Sequence, residues 1–228
     1  MYGFIGAMEI ETDGLIALMS KVKRKKIGAY EFVEGKIGGK KAVVCCCGVG
    51  KVFSSTAAAL MIAEYKPEGI VSIGVAGGAK PLRQCDIVIA EKTVQHDYDA
   101  SADGLERGRV HSFDSPYFKC DDGLVKSFDE VLTKLGYEHK IGITATGDCF
   151  VGDNKKAADI VETFGACAFD MESAAINQVC VYQGVKFSSL RAISDNGDDE
   201  AVNSFYEFVN EAAARSIATI KEFIVRFG

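Results

Sequence analysis

The sequence predicts a single α/β domain with a central, mixed, mostly parallel twisted sheet flanked by helices on both faces. Segments of strand length and of helix length alternate along the chain, which is typical of a parallel sheet covered by helices. Most strand segments are apolar without polar alternation, as expected of strands buried on both faces. No linker, internal repeat or low-complexity segment interrupts the 228 residues. We therefore expect one domain over residues 1–228.

The first part of the chain predicts four strands and two helices. Acidic residues in the first turn of the first helix suit its positive dipole end. Gly38 and Gly39 indicate a hairpin turn, and Pro67 ends the second helix. The basic run 21–26 is interpreted as a solvated helix end, because charge runs usually lie in solvent. The predicted strands are 2–8, 29–37, 41–47 and 69–75, and the predicted helices are 9–20 and 52–65.

The second part of the chain continues the alternation after one irregular segment. Residues 96–117 contain glycines, a proline and two of the three histidines, with little periodicity. We interpret them as a long loop, and such loops are usually functional or interface elements. The predicted strands are 86–91, 141–146, 166–169 and 187–193, and the predicted helices are 122–135, 155–164, 173–183 and 202–227.

Composition excludes several classes of protein. A net charge of −6 argues against a nucleic-acid partner, because phosphate binding needs a basic face. No run of about 18 apolar residues is present, so we expect no transmembrane helix. The eight cysteines form no C-x-x-C pair, and in Cys45-Cys46-Cys47 alternate side chains point to opposite faces of a strand. Without a signal peptide, these features favour reduced thiols in a cytoplasmic protein, with no metal site.

Two aspartates mark a candidate pocket. Asp170 follows the apolar run 166–169, and Asp195 follows the apolar run 187–193. Ligands of open α/β sheets bind at the carboxyl ends of the strands. The sequence therefore predicts a polar pocket that handles hydroxyls and protons.

Three glycine-rich turns also follow predicted strands, at 6–7, 48–50 and 74–78. Glycine lets a ligand approach the backbone closely, although each turn taken alone is more typical of a tight connection. None of them matches the dinucleotide fingerprint G-x-G-x-x-G, and no Walker lysine motif is present. The sequence thus indicates no nucleotide cofactor.

Three other residues have two interpretations each. Glu11 either stabilises the dipole of a helix start, worth roughly 0.3–1 kcal/mol, or faces the pocket. Met171 either packs in the core or forms an apolar floor for a sugar ring. Phe150, after a Gly-Asp turn, either packs in the core or stacks on a flat heterocycle.

Six segments in fixed order resemble one family, the bacterial 5′-methylthioadenosine/S-adenosylhomocysteine nucleosidases of the purine nucleoside phosphorylase superfamily. The resemblance spans most of the chain, and six ordered motifs are more specific than any one of them. It implies a nucleoside phosphorylase-like fold. The matching segments are Ile5–Glu11, Gly48–Val52, Gly74–Gly78, Gly147–Val151, Asp170–Ala174 and Arg191–Asp195.

The resemblance implies hydrolysis of the N-glycosidic bond of 5′-substituted adenosines such as 5′-methylthioadenosine, S-adenosylhomocysteine and 5′-deoxyadenosine. Asp195 matches the general acid that protonates adenine N7. Glu11 matches the residue that holds and activates water on the opposite face of the sugar. Glu172 matches the carboxylate that binds the ribose hydroxyls and stabilises developing positive charge.

The resemblance also implies the other substrate-binding residues, a homodimer whose loop near 100–113 closes the partner's pocket, and no cofactor. The ribose and its 5′ group would contact Met171, Met8 and Val49. Adenine would contact Phe150 and the Val151 backbone. The remaining implied residues are Ala76 and Gly77 in a turn of the pocket, Arg191 near the carboxylates and water, and Phe205 on the lid formed by the last helix.

Two departures from the family pattern bear on the rival functions. Val75 replaces a serine that helps to bind phosphate in the phosphorylase relatives, and Asp170 replaces the first glutamate of E-M-E. A phosphorylase would bring a dianion against Glu11, so the charges favour hydrolysis. A non-catalytic nucleoside sensor would need the ribose contact of Glu172 but not both Glu11 and Asp195.

Overall fold

Ten strands form one mixed sheet with six α-helices around it in the computed structural model, which describes residues 1–227. The strands are β1 (Tyr2–Gly6), β2 (Ser20–Ile27), β3 (Tyr30–Ile37), β4 (Lys40–Cys46), β5 (Gly69–Gly78), β6 (Ile87–Gln95), β7 (Tyr117–Lys119), β8 (His139–Thr146), β9 (Ala166–Asp170) and β10 (Lys186–Asp195). The helices are α1 (Glu9–Ala17), α2 (Lys51–Tyr65), α3 (Asp122–Leu135), α4 (Asn154–Phe164), α5 (Ser173–Gln183) and α6 (Ala201–Phe227).

The sheet curls until part of it closes. Its strand order is β10-β6-β8-β9-β5-β1-β4-β3-β2, with β7 attached to β6. A further parallel pairing joins β10 to β5, so the five strands β5, β9, β8, β6 and β10 form a closed ring. The predicted mixed α/β sheet is confirmed. Its longest parallel registers, β5–β10 and β6–β8, lie within this ring.

Both faces of the sheet carry helices, as predicted. Along β1, Phe4 packs in the cluster that contains residues of α3 and α6, whereas Ile5 packs in the cluster that contains residues of α2 and α5. Val44 and Val43 of β4 divide between the same two clusters. Neighbouring residues of a strand point to opposite faces, so continuous apolar strands serve two cores at once.

The interpretation of the basic run 21–26 as a helix end is wrong. Helix α1 ends at Ala17, and the run forms strand β2, antiparallel to β3 at the end of the sheet order. Its side chains are exposed on both faces, so no apolar alternation marks it in the sequence. Lysines on an edge strand oppose pairing with another sheet edge.

Other predicted elements are confirmed with shifted ends. The Gly38-Gly39 hairpin joins β3 to β4, while β5 and β6 extend beyond their predicted ends at 75 and 91. Residues 96–117 are mostly irregular, with one turn of 3-10 helix at Ser101–Asp103. Strand β7 was not predicted, and it contains just three residues. Within residues 1–227, no helix is both long and apolar enough to cross a membrane.

Candidate active site

A cavity of about 290 Å³ opens where the carboxyl ends of the central strands meet the start of α6. Eleven of the twelve residues predicted from the sequence line it. They are Met8, Glu11, Val49, Ala76, Gly77, Phe150, Val151, Met171, Glu172, Asp195 and Phe205. The exception is Arg191, which lies behind the wall, 2% exposed. The two candidate strand ends at Asp170 and Asp195 thus belong to one pocket.

Seven lining residues were missed by the sequence reasoning. Six of them adjoin predicted residues or lie at the ends of predicted strands. On α6, Val202 lies three residues before Phe205 and four before Tyr206, and residues spaced by three or four share a helix face. That spacing was the signal that could have found them. The full set is Ala7, Val75, Cys149, Phe169, Ser194, Val202 and Tyr206.

Glu11 serves both of the roles considered for it. Its Oε2 accepts hydrogen bonds from the N–H groups of Ala7 at 2.7 Å and Met8 at 2.9 Å, at the start of α1. Its Oε1 accepts from the Val75 N–H at 3.0 Å, at the end of β5. Burial raises the pKa of Glu11, against the lowering effects of Arg191 and these backbone donors. The carboxylate therefore caps the helix and also faces the cavity.

Gly74 makes room for this arrangement. Its φ is +152°, and a Cβ atom there would lie 2.3 Å from Glu11 Oε1 and 2.7 Å from Arg191 Nη1. Contacts this short do not occur, so a side chain at position 74 would displace one of the two charged groups. Gly74 lies within β5 and not in the predicted turn, and the close approach of protein side chains requires a glycine there.

Arg191 is a buried counter-charge for the carboxylates. Its Nε donates to Asp170 Oδ2 at 2.7 Å and its Nη2 donates to Ser72 Oγ at 2.8 Å. Nη2 also lies 3.7 Å from Glu172 Oε2. Burial by itself lowers the pKa of Arg191, but Asp170, Glu172 and Glu11 outweigh burial and raise it. The guanidinium stays charged and supports the pocket from behind.

Asp170 is occupied by protein donors. Besides Arg191, it accepts hydrogen bonds from the hydroxyls of Thr146 and Ser173 and from the N–H groups of Glu172 and Ser173. These contacts hold the start of α5 against the end of β8. The shorter acid at this position therefore anchors Arg191 and the α5 terminus.

Glu172 keeps one oxygen bound and presents the group to the cavity. Its Oε1 accepts from the Gly50 N–H at 2.9 Å. Burial raises its pKa, which Arg191 lowers and Asp170 raises further. A nearly buried carboxylate with a cation on one side is suited to bind neutral hydroxyls on the other.

Asp195 has a different environment from the two glutamates. Its Oδ2 accepts from the Ser194 hydroxyl at 2.9 Å and its Oδ1 accepts from the Gly197 N–H at 2.9 Å. Burial raises its pKa, and these two donors oppose the rise. A side chain that retains its proton in this way can act as a general acid.

The rim of the pocket is apolar and aromatic. Phe150 is 47% exposed, and its ring meets Phe205 edge to face with centroids 6.2 Å apart. Tyr206 packs on Phe205 at 5.5 Å, and Val49 is also exposed at the mouth. Exposed aromatic rings beside a cavity offer stacking surfaces for a flat ligand.

The cavity contains acid–base groups but no metal cluster. In the part of the chain that the structure describes, no group of three or more His, Cys, Asp or Glu residues could hold a metal ion. The arrangement can place a proton donor and a water-binding carboxylate around one ligand.

Comparisons with known proteins agree with this geometry. The family model of the phosphorylase superfamily matches residues 1–225. The 5′-methylthioadenosine/S-adenosylhomocysteine nucleosidase of Actinobacillus succinogenes is 37% identical over 216 residues, 94% of each chain. The crystal structure of the Neisseria meningitidis nucleosidase of that name, in complex with methylthio-immucillin-A, superimposes with a TM-score of 0.95 at 34% identity over 98% of each chain. Futalosine hydrolase of Helicobacter pylori superimposes with a TM-score of 0.94 at 31% identity, over 98% of this chain and 96% of that one. The chain therefore belongs to the phosphorylase superfamily and, within it, to the enzymes known as 5′-methylthioadenosine/S-adenosylhomocysteine nucleosidases.

Proposed function

We propose that this chain, as one domain over residues 1–228, hydrolyses the N-glycosidic bond of 5′-substituted adenosines. Its substrates are 5′-methylthioadenosine, S-adenosylhomocysteine and 5′-deoxyadenosine, and its products are adenine and the 5′-substituted ribose. The observation that carries the proposal is the pairing of unlike carboxyl groups in one cavity. All three carboxyl groups accept hydrogen bonds from the protein. Arg191 acts on Glu11 and Glu172 but not on Asp195.

Asp195 supplies the proton that adenine needs in order to leave. Adenine is a poor leaving group as an anion, so N7 must be protonated as the bond to the sugar breaks. Burial raises the pKa of Asp195, which favours the protonated form that a general acid needs. In this mechanism the Val151 backbone and the Phe150 ring, which line the same cavity, hold the base.

Glu11 activates the attacking water. In this mechanism the Glu11 carboxylate accepts a proton from water as the water oxygen bonds to the anomeric carbon. The three N–H donors from Ala7, Met8 and Val75 fix the carboxylate in place. The electrons of the broken C–N bond go to adenine, which carries the proton from Asp195.

Glu172 binds the ribose and stabilises the transition state. The sugar develops oxocarbenium character as adenine leaves, and a preorganised carboxylate favours that positive charge. The Gly50 N–H holds one oxygen of Glu172. Met171 and Met8 provide apolar contacts for the sugar and its 5′ group.

The same geometry disfavours phosphate as the nucleophile. Val75 offers no hydroxyl, and its N–H already donates to Glu11. The buried cation, Arg191, binds Asp170 and lies behind the cavity wall. A phosphate dianion would therefore meet carboxylates first.

Adenine release from 5′-methylthioadenosine tests the function, measured in phosphate-free buffer and again with phosphate added. We expect equal release in both, with free methylthioribose as the second product. Release that requires phosphate would make the chain a phosphorylase. Tight binding of the nucleoside without release would make it a sensor.

We also propose that the enzyme works as a homodimer. Helices α2 and α5 pack together and leave large apolar side chains in solvent, including Val52 at 73% and Tyr182 at 77% exposure. Phe53 and Val181 are also exposed on these two helices, and exposed apolar patches mark interaction sites. The loop near 100–113 would reach the partner's pocket. Sedimentation at micromolar concentration should give a dimer, and a monomer would contradict the proposal.

A cytoplasmic location is proposed on the state of the cysteines. All eight are free thiols, which suits a reducing compartment. Recovery of the native protein in the cytoplasmic fraction of its own cells would support this location, and recovery outside the cytoplasm would contradict it.

A further inference from the structure

Two segments that line the pocket meet at a point outside it. The β4–α2 turn (residues 47–50) carries the Gly50 N–H that holds Glu172. The β8–α4 loop (residues 147–153) carries Phe150 and Val151. Lys51, the first residue of α2, directly follows the turn and is 97 residues from Asp148 in sequence. Its N–H nevertheless donates to Asp148 Oδ1 at 2.8 Å. The turn and the loop are therefore in direct contact.

The packing between the turn and the loop is close. Gly50 has a φ of +106°, and a Cβ atom there would lie 3.0 Å from Asp148 Oδ1. The two segments are already in close contact and cannot move nearer to each other. The contacts between them decide whether they can move apart.

Asp97, just after β6, binds both segments with one carboxylate. Its Oδ1 accepts from Lys51 Nζ at 2.7 Å, and its Oδ2 accepts from the Asp148 N–H at 2.9 Å. The Lys51 and Asp97 side chains are 19% and 28% exposed, so solvent screens this pair less than it screens a fully exposed one.

The protonation of Asp97 suits this contact. Burial raises its pKa, but Lys51 and the Asp148 N–H outweigh burial and leave the pKa below the usual aspartate range. Asp97 stays ionised at neutral pH. It does not line the pocket, and the proposed mechanism gives it no role.

We propose that Asp97 is a positioning residue, whose carboxylate sets the distance between the ribose-binding Glu172 and the adenine-stacking Phe150. Its effect on Glu172 passes through Lys51 and the Gly50 N–H, and its effect on Phe150 passes through Asp148. The inference rests on the proposed function for the roles of Glu172 and Phe150.

The test compares Asp97→Asn, Lys51→Met and the double variant with the wild type. Asp97→Asn keeps the shape and an oxygen for the Asp148 N–H but loses the charge. We expect KM for 5′-methylthioadenosine to rise about tenfold in each single variant, the size of one lost hydrogen bond between charged groups. We expect kcat to change less than about threefold, because Asp195 and Glu11 are untouched.

The double variant shows whether Asp97 and Lys51 act on KM through their shared contact or independently of each other. Because both substitutions break the same link, its KM should lie within about twofold of either single variant. Adenine alone should bind Asp97→Asn with nearly wild-type affinity, since the adenine side keeps its contact. Lys119→Met, which breaks the exposed pair with Asp122, is the matched control and should leave KM unchanged.

Three results would overturn the inference. They are an unchanged KM in Asp97→Asn, a rise of KM in the double variant equal to the product of the two single rises, and a loss of kcat with KM unchanged.

Calorimetry with methylthio-immucillin-A separates this inference from the proposed function, because binding of the inhibitor needs no turnover. If the wild type binds the inhibitor but releases no adenine, the hydrolysis fails, and the inhibitor affinities of the variants still decide the role of Asp97. If the wild type binds neither ligand, both proposals fail.

Discussion

The two acidic sides of the pocket differ in what opposes the burial of their charge. Burial raises the pKa of Glu11, Glu172 and Asp195 alike. Hydrogen bonds from neighbouring groups oppose this rise at all three carboxyl groups, whereas the guanidinium of Arg191 opposes it on the glutamate side alone. The two sides therefore differ in whether a cation acts on them, while burial shifts all three pKa values in the same direction.

The comparison shows how one fold supports both roles within a small cavity. A shared cation favours the ionised form, which binds hydroxyls and accepts protons. Asp195 has no such cation acting on it, and its burial favours the protonated form. The difference comes from Arg191. A substitution of Arg191 should therefore affect stability most, and a substitution of Asp195 should affect catalysis most.

Replacing Arg191 by methionine should have the largest effect on stability. The change leaves Asp170, Glu172 and Glu11 without their buried counter-charge, and removal of one partner from a buried ion pair costs about 3–5 kcal/mol. We expect a loss of this size in the free energy of unfolding, measured by denaturant titration near neutral pH.

Arg24→Met is the matched control for that loss. Arg24 pairs with Glu31 in solvent, and exposed pairs contribute at most about 1 kcal/mol. An Arg191→Met variant that loses no more stability than Arg24→Met would break the comparison, because the glutamate side would then need no cation.

Replacing Asp195 by asparagine should give the opposite pattern. The amide cannot donate the proton to adenine, so we expect the rate of adenine release to fall by about 10² or more. The folded state should lose less stability than in Arg191→Met, because the neutral amide leaves no buried charge without its partner. Adenine release and denaturant unfolding, measured on the same preparation, check both parts.

Asp199→Asn, an exposed substitution in the same segment, should leave the rate of adenine release near the wild-type value. If Asp195→Asn turned over at that rate too, the assignment of the general acid would be wrong.

The pH dependence of stability should show the smallest effect. A raised pKa means that the folded state binds more protons than the unfolded state above the usual aspartate value of 3.8. The resulting stability is fully present below that value and is lost as pH rises through the folded pKa. Asp195→Asn removes this contribution, so its unfolding free energy should fall less than that of the wild type as pH rises from about 4. Parallel pH curves for the two proteins would show that the Asp195 pKa is not raised by folding.

The pocket could be predicted because its acids follow strongly apolar strands. Asp170 and Asp195 come directly after buried runs, and strand ends of one sheet meet in space. The sheet and its helices on both faces followed from the same runs. The specific roles of Glu11 and Glu172 came from the family resemblance, because an acid at a helix start has an ordinary structural use as well.

The rest escaped prediction for physical reasons. Strand β2 is exposed on both faces, so it is held by backbone hydrogen bonds that leave no side-chain pattern. Asp97 lies in an irregular segment, and its partners Lys51 and Asp148 are about 50 residues away on either side. The closure of the ring depends on the pairing of β10 with β5, which strand composition does not encode.

That closed ring decides which parts of the pocket can move when ligands exchange. The ends of β5, β9 and β10 form the floor, and each of these strands has hydrogen-bonded neighbours on both edges. Displacing the floor would require opening the ring, at a cost close to that of unfolding. The rim, by contrast, is built from the start of α6 and exposed side chains such as Phe150 and Tyr206. Nucleosides must therefore enter, and adenine must leave, by displacement of the rim, while Asp195 at the end of β10 keeps its position on the floor throughout the cycle.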